Sequence, residues 1–125
     1  MKKGKYLITG CAGFIGSNLV KNLYKNYDLI LVDDLSEGSI KNIPSVLRNK
    51  VIKKKIQNIK KLNTKKLDGI FHLAAQASVP LSLKNFYKSS ANNFTSSIKV
   101  FEFSKKYSAP IVCASSCAVY GNLPI

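Results

Sequence analysis

Lys5-Tyr6-Leu7-Ile8-Thr9-Gly10-Cys11-Ala12-Gly13-Phe14-Ile15-Gly16 decides the fold of this chain. The apolar run from Lys5 to Thr9 stops at a glycine and reads as a short buried strand. From Phe14 onward apolar residues return at helical spacing, Ile15, Leu19 and Leu23 on one line and Gly16, Val20 and Tyr27 beside it. Between strand and helix lie glycines at 10, 13 and 16. Such a turn aims free backbone N–H groups and the positive helix end at a phosphate. Gly10 permits the tight turn, Gly13 lets a phosphate reach the backbone, and Gly16 lets the helix lie close on the sheet. Glycine spacing alone also fits a plain structural turn, so the neighbouring elements must decide.

Working outward, Leu29-Ile30-Leu31-Val32 is a second buried strand, closed by Asp33-Asp34. Asp33 lies 17 residues after Gly16. A carboxylate there accepts both hydroxyls of an adenosine ribose and repels a 2′-phosphate, and no arginine follows locally, so NAD is expected over NADP. Asp34 reads equally as a contact and as a solvated turn residue. Val51-Ile52, Gly69 to Leu73 and Ala109 to Cys113 read as further strands. Pro80 opens a long helix whose stripe of Tyr87, Ala91, Phe94, Ile98 and Phe101 is expected in the core. Apolar strands alternating with helices predict an α/β fold, a doubly wound parallel sheet of Rossmann type with about five strands in the order 3-2-1-4-5. Gly10 to Gly16, Asp33-Asp34, Ala74 to Ser78 and Ser115-Ser116 all fall at carboxyl ends of strands, where such sheets bind ligands.

The 125 residues allow one domain, 1–125, and 46% hydrophobic with 21% charged residues excludes a disordered tail. No apolar run reaches the ~20 residues of a bilayer span, and Tyr6-Leu7-Ile8 is too short for a signal peptide, so a cytoplasmic address is expected. The net charge is +14, yet Arg48 is the only arginine, and the lysines from Lys53 to Lys66 lack interleaved aromatics. A solvated lysine face is therefore expected, with no specific nucleic-acid binding. Cys11, Cys113 and Cys117 form no C-x-x-C pair and His72 is alone, so neither a metal site nor a disulfide is expected. His72, closing a buried strand, reads as a packed and hydrogen-bonded core residue.

T-G-C-A-G-F-I-G, V-D-D-L-S-E-G, H-L-A-A-Q-A-S-V-P and A-S-S-C-A-V-Y-G occur in this order. Together, from Tyr6 to Pro124, they resemble the extended short-chain dehydrogenase/reductases, in the NAD-dependent epimerase/dehydratase branch that acts on nucleotide sugars. The chain is similar to the amino-terminal part of UDP-glucose 4-epimerase-like enzymes. The resemblance implies that Gly10, Gly13 and Gly16, with the backbone of Phe14 and Ile15, hold the NAD pyrophosphate. It places Asp33 and Asp34 at the adenosine ribose, and Leu73, Ala74, Ala75 and Gln76 on the nicotinamide side. Asn93 would anchor a loop near the cofactor, Ser116 would be the catalytic hydroxyl on the sugar, and Ser78 a substrate contact. On residue type alone, Ser116 reads as a strand-end serine satisfying nearby backbone.

The implied enzyme is a UDP-hexose 4-epimerase, in which bound NAD takes and returns a hydride through a 4-keto sugar; its full-length form would be a homodimer. Several positions depart from the family pattern. Cys117-Ala118 stands where dehydratases carry an acidic pair, which disfavours elimination of water. Lys55 stands where an adenine-contacting Asp is usual. None of tyrosines 6, 24, 27, 87, 107 and 120 has lysine four residues on, so the family's Y-x-x-x-K base is missing. The chain reads as the incomplete, NAD-binding part of a longer enzyme, inactive alone. A catalytically silent dinucleotide-binding module, or another nucleotide-sugar oxidoreductase or dehydratase of the same family, are the other readings.

Overall fold

Four short runs of Leu, Ile, Val and Phe build a wholly parallel sheet: β1 (Lys5–Thr9), β2 (Asp28–Val32), β3 (Gly69–His72) and β4 (Ile111–Cys113), in the order β2-β1-β3-β4. The structure, a computed structural model, describes residues 3–121; Met1-Lys2 of the basic start and Asn122 to Pro124 at the end of the family resemblance lie outside them. On β1, Leu7 faces Ile30 of β2 and Ile70 of β3 in register. Successive strand residues point to opposite faces, so Leu7 and Ile8 feed two separate cores. Leu7 joins Val32, Ile70, Val100 and Phe103 on one side; Ile8 joins Val20, Leu31 and Ile43 on the other. Each such side chain, once fully buried, contributes roughly 1.5–3 kcal/mol.

The expected third strand shrinks to a single parallel bridge, Ile52 beside Val32. The Ile52 N–H donates to the Leu31 carbonyl at 2.8 Å, and the Asp33 N–H donates to the Ile52 carbonyl at 3.2 Å. Lys53-Lys54-Lys55 follow, all exposed, with no apolar side chain to bury against the sheet, and the chain turns into a 3-10 turn at Ile56–Asn58. With that bridge placed outside β2, the strand order is the expected 3-2-1-4-5.

Helix α1 (Phe14–Leu23) buries Gly16, Ser17 and Val20. The helix expected from Pro80 is two helices, α2 (Val79–Lys84) and α3 (Phe86–Tyr107), because Asn85 adopts φ −145°, ψ 65° and breaks the ladder. Pro80 sits in the first turn of α2, where its missing N–H costs nothing. The stripe expected in the core is instead turned outward: Tyr87 is 83% exposed and Phe94 69%, with Ile98 and Phe101 exposed beside them. The buried face of α3 is Ser89, Ser96, Val100 and Phe103. Two serines let this helix approach closely; the Ser96 hydroxyl donates to the Asn93 carbonyl at 2.9 Å, so no polar group is orphaned there. A left-handed residue, Ser108 (φ 50°), ends α3 and turns the chain into the short edge strand β4.

Candidate functional site

The carboxyl ends of β1, β2 and β3 meet at one cleft of about 580 Å³, within the size range of ligand pockets. Its floor is the turn after β1. Gly10 takes φ +69°, and a Cβ there would stand 2.7 Å from the Leu73 carbonyl and the Ala74 nitrogen. Only glycine satisfies both demands. The Gly10 N–H donates to the Val32 carbonyl at 2.9 Å, so the end of β2 pins the turn. Gly16 is the contact point of α1: a Cβ on it would stand 2.1 Å from the Gly10 carbonyl oxygen. Gly13 differs, since a Cβ there would meet nothing closer than 3.5 Å. Its position lines the cleft, so its missing side chain is room for a ligand.

Asp33 is buried and its carboxylate is engaged from two sides: Oδ2 accepts the Ala12 N–H at 2.8 Å and Oδ1 the Leu35 N–H at 2.8 Å. It therefore fixes the glycine turn as well as facing the cleft. Asp34 accepts both the N–H (3.0 Å) and the hydroxyl (2.6 Å) of Ser36 on Oδ1. Partial burial pushes its carboxyl up, but those two bonds and the charge of Lys55 outweigh that and hold it below the usual carboxylate range. Cys11, in the same turn, is inert: burial, with Asp33 beside it, pushes its thiol up to about 12.

Beyond β3, Leu73, Ala74, Ala75 and Gln76 line the opposite wall. Asn93 on α3 clamps that wall, accepting the Gln76 N–H at 2.8 Å and donating to the Gln76 carbonyl at 3.0 Å. The Gln76 amide donates to the Ser78 carbonyl, and its Oε1 is a buried acceptor with no partner among the described residues. His72 is packed and bonded as expected, with Nδ1 2.8 Å from the Thr9 hydroxyl and Nε2 3.1 Å from that of Ser97. Ser97 spends its proton on the Asn93 carbonyl, which assigns the His72 proton to Nε2 and makes the Thr9 hydroxyl the donor to Nδ1. Burial pushes the His72 imidazole below its ordinary range.

Of the residues singled out from sequence, Gly10, Gly13, Asp33, Asp34, Leu73, Ala74, Ala75 and Gln76 converge on the cleft. Phe14, Ile15 and Gly16 form the first turn of α1, whose N–H groups have no intrahelical partner and whose cap, Gly13, supplies no side-chain acceptor. Ser78 caps α2 and Ser116 caps the 3-10 turn Cys117–Tyr120 by accepting the Ala118 N–H at 3.2 Å; neither lines the cleft. Two features escaped the sequence reading. Gly38 packs on the glycine turn so closely that a Cβ would stand 2.7 Å from Ala12, whose carbonyl also accepts from Asn42 at 2.8 Å. Lys55 and Gln57 both donate to the Asn92 side-chain oxygen, at 2.9 and 3.3 Å, and all three line the cleft. Gly38 stood in the V-D-D-L-S-E-G motif and could have been flagged; nothing local marks Asn92.

Chemically, the cleft offers unspent main-chain donors at a helix start, carboxylates at the end of β2, and an unpartnered amide acceptor on the far wall. This set fits a dinucleotide: donors for its phosphates, acceptors for ribose hydroxyls, and an acceptor for an amide or hydroxyl. Among the described residues no group of three or more His, Cys, Asp or Glu side chains could hold a metal ion, and no helix is long and apolar enough to cross a membrane.

Comparison with known proteins converges on one group. A family model, the NAD dependent epimerase/dehydratase family, matches residues 6–125. A Methanocaldococcus jannaschii protein provisionally named a UDP-glucose 4-epimerase is 39% identical over 121 residues, covering 93% of this chain and 39% of its own length. Among solved structures, the UDP-N-acetylglucosamine 4-epimerase of Methanobrevibacter ruminantium, in complex with UDP-N-acetylmuramic acid, superposes with a TM-score of 0.88 at 34% identity, covering 99% of this chain and 41% of that one. The UDP-glucose 4-epimerase of Thermotoga maritima, solved with UDP-glucose, gives a TM-score of 0.81 at 32% identity, covering 97% and 41%. The chain thus spans about two fifths of the length of these relatives.

Proposed function

From the premise that the chain belongs to the NAD-dependent epimerase/dehydratase family, we propose that it is the NAD-binding part of a nucleotide-sugar 4-epimerase, with a UDP-hexose as substrate. One observation carries this reading: the cleft at the carboxyl ends of three parallel strands joins a ligand-sized opening at Gly13 to a carboxylate pair at the end of β2. Gly10, Gly13 and Gly16 shape the turn that receives the pyrophosphate, and the N–H groups of Phe14 and Ile15 hold it, the Gly13 N–H being spent on the Gly10 carbonyl at 3.3 Å. Asp33 and Asp34 take the adenosine ribose. Leu73, Ala74, Ala75 and Gln76 line the nicotinamide side, with Asn93 holding that wall in place. NAD, when bound, supplies a hydride acceptor and donor.

Ser116 is the residue we assign to orient the reacting sugar hydroxyl, and Ser78 is a substrate contact. In the structure the Ser116 hydroxyl accepts a backbone N–H, and its own proton has no acceptor among the described residues. No tyrosine of the sequence has a lysine four residues on, so this chain supplies binding and orientation but not the base. Its own turnover should be nil, whereas a chimera carrying a relative's remaining length should epimerise. Ser116→Ala in that chimera should lower kcat. The same lack of a base supports a second reading, a dinucleotide-binding module without catalysis, which a chimera with no turnover would favour.

Two further parts of the reading concern assembly and place. The outward residues of α3, Tyr87, Phe94, Ile98 and Phe101, with half-buried Ala91 between them, follow the 4-3-4-3 spacing of a helix-pairing seam, which supports a homodimer of the complete enzyme. We place the protein in the cytoplasm, where nucleotide sugars are interconverted. The decisive test of the cofactor site is calorimetric titration of the chain with NAD and NADP. Saturable NAD binding, tighter than NADP, is expected; NADP binding equal to or tighter than NAD would overturn the assignment of Asp33.

A further inference from the structure

Asp33 is not the only charge at the ribose end of the cleft: each of its oxygens already accepts one backbone N–H, and Asp34 stands beside it in the lining. Four cations line the same cleft: Lys84 and Lys88 from α2 and α3, and Lys54 and Lys55, brought there by the turn that follows the Ile52 bridge. Lys55 is the placed one: its amine reaches across to Asn92 on α3 at 2.9 Å, which spends one of its three N–H donors and fixes the charge over the opening. No carboxylate forms an ion pair with it within 4.0 Å among the described residues; the described pairs are Lys66 with Asp68 and Lys99 with Glu102. Asp33, Asp34 and Glu37 line the same cleft; Asp34 is the one that feels the Lys55 charge, with Oδ1 tied to Ser36 and Oδ2 without a bond among the described residues. The Lys55 charge is among the causes that hold the Asp34 carboxyl low.

We propose that Asp34 and Lys55 together set which adenine dinucleotide the cleft accepts, with Asp34 masking in Lys55 a latent acceptor for a phosphate on the adenosine ribose. This rests on the dinucleotide reading of the cleft. With Asp34 present, an incoming 2′-phosphate meets a carboxylate before it meets the amine, and NAD is preferred. With Asp34 neutral, the tethered amine has two donors and a full charge to offer a phosphate dianion, a charge-assisted pairing of the strongest kind. Asp33 stays in place in either case, held by the Ala12 and Leu35 N–H groups.

The test is a double-mutant cycle read by binding, using the chain as it exists. Dissociation constants for NAD and NADP are measured for the wild type, Asp34→Asn, Lys55→Met and the double variant. Asp34→Asn should shift the NAD-to-NADP affinity ratio toward NADP by about tenfold, the scale of one opposed charge in a partly buried site. The double variant should fall back to within about threefold of Lys55→Met. A shift that persists without Lys55 means simple repulsion by Asp34 and overturns the proposal, as does no shift at all. Asp34→Ser, which keeps a short turn-forming side chain, guards against misfolding of the Asn variant. The same cycle is run with AMP and adenosine 2′,5′-bisphosphate. If those two show the pattern while neither dinucleotide binds, the reading of the cleft as a dinucleotide site fails and the Asp34–Lys55 pairing stands. If nothing binds, both fall.

Discussion

Gly16→Ala tests how the phosphate turn and the fold are joined. In a mid-helix position the change from glycine to alanine should stabilise by about 1 kcal/mol through helix propensity alone. Here the added Cβ would stand 2.1 Å from the Gly10 carbonyl oxygen and 2.9 Å from the Cys11 Cα, where ordinary contact begins at 3.4 Å. Backbone of the turn must retreat by about 1 Å to recover a van der Waals distance. That carbonyl accepts the Gly13 N–H and the turn hangs on Val32, so retreat loosens bonds worth about 1 kcal/mol each. Adding an overpacking cost of about 1–3 kcal/mol and subtracting the propensity gain leaves a net loss of about 2 kcal/mol, or a Tm lower by about 8 °C. Gly13→Ala is the matched control. Its Cβ meets nothing nearer than 3.5 Å, so Tm should move by no more than about 2 °C while NAD affinity falls at least about tenfold, because the methyl fills ligand space. Circular-dichroism melts and calorimetric titration on both variants give the comparison. If Gly16→Ala melts higher than the wild type, the close approach of α1 to the turn is wrong, and with it the geometry of the site.

Three other outcomes follow from single groups. Asp33→Ala should leave the buried Ala12 N–H and the part-buried Leu35 N–H without their acceptor, costing about 1–3 kcal/mol, and should narrow the preference for NAD in the same preparation; unchanged urea midpoints would contradict the bonding at Oδ1 and Oδ2. His72 is held neutral by burial, so the unfolded chain, with a pKa of about 6.5, binds more protons than the folded one just below that pH. The stability from burying it neutral is full above about 6.5 and is lost as pH falls through the lower folded value; urea midpoints between pH 7 and 5 should therefore decline, with a smaller slope in His72→Phe. Finally, the exposed seam of α3 and the edge of β4, where Val112 is 59% exposed, should make the chain self-associate at about 0.15 M salt, where its charge is screened beyond ~8 Å. Light scattering should show this and should show it reduced in Phe94→Lys, whereas a monodisperse wild-type monomer would refute both surfaces.

The legible parts of the sequence were those where backbone geometry imposes residue type. Gly10 must take positive φ and Gly16 must have no Cβ, so the turn announced itself, and Val32 followed by Asp33 marked the end of β2. The third strand misled because Val51-Ile52 are apolar and only their context, three lysines long, prevents extension of the ladder. The long helix misled more deeply. Tyr87, Ala91, Phe94, Ile98 and Phe101 recur at 4-3-4-3 spacing, and periodicity reports that a helix has an apolar line without saying what covers it. The face that meets the sheet carries Ser89 and Ser96, whose small size serves close approach, and no hydropathy pattern marks serines as core. Asn85, which breaks the helix, has neither the fixed φ of proline nor the freedom of glycine that would betray it.

The same distinction runs through the site. The phosphate grip proposed for it is main chain: N–H groups of a helix start, a turn pinned by the Val32 carbonyl, and a wall held by Asn93 through the backbone of Gln76. Such a grip would tolerate wide change in side chains so long as the glycines stay, which is why a short motif is enough to suggest it. Discrimination among ligands is the opposite case. It falls to side chains that converge from distant segments, Asp34 after β2, Lys55 after the Ile52 bridge and Asn92 on α3, and their grouping exists only once the strands are ordered. A lysine at position 55 read alone is one of nineteen on a basic chain; tied to Asn92 and set against Asp34, it becomes the charge that decides whether a phosphate can enter.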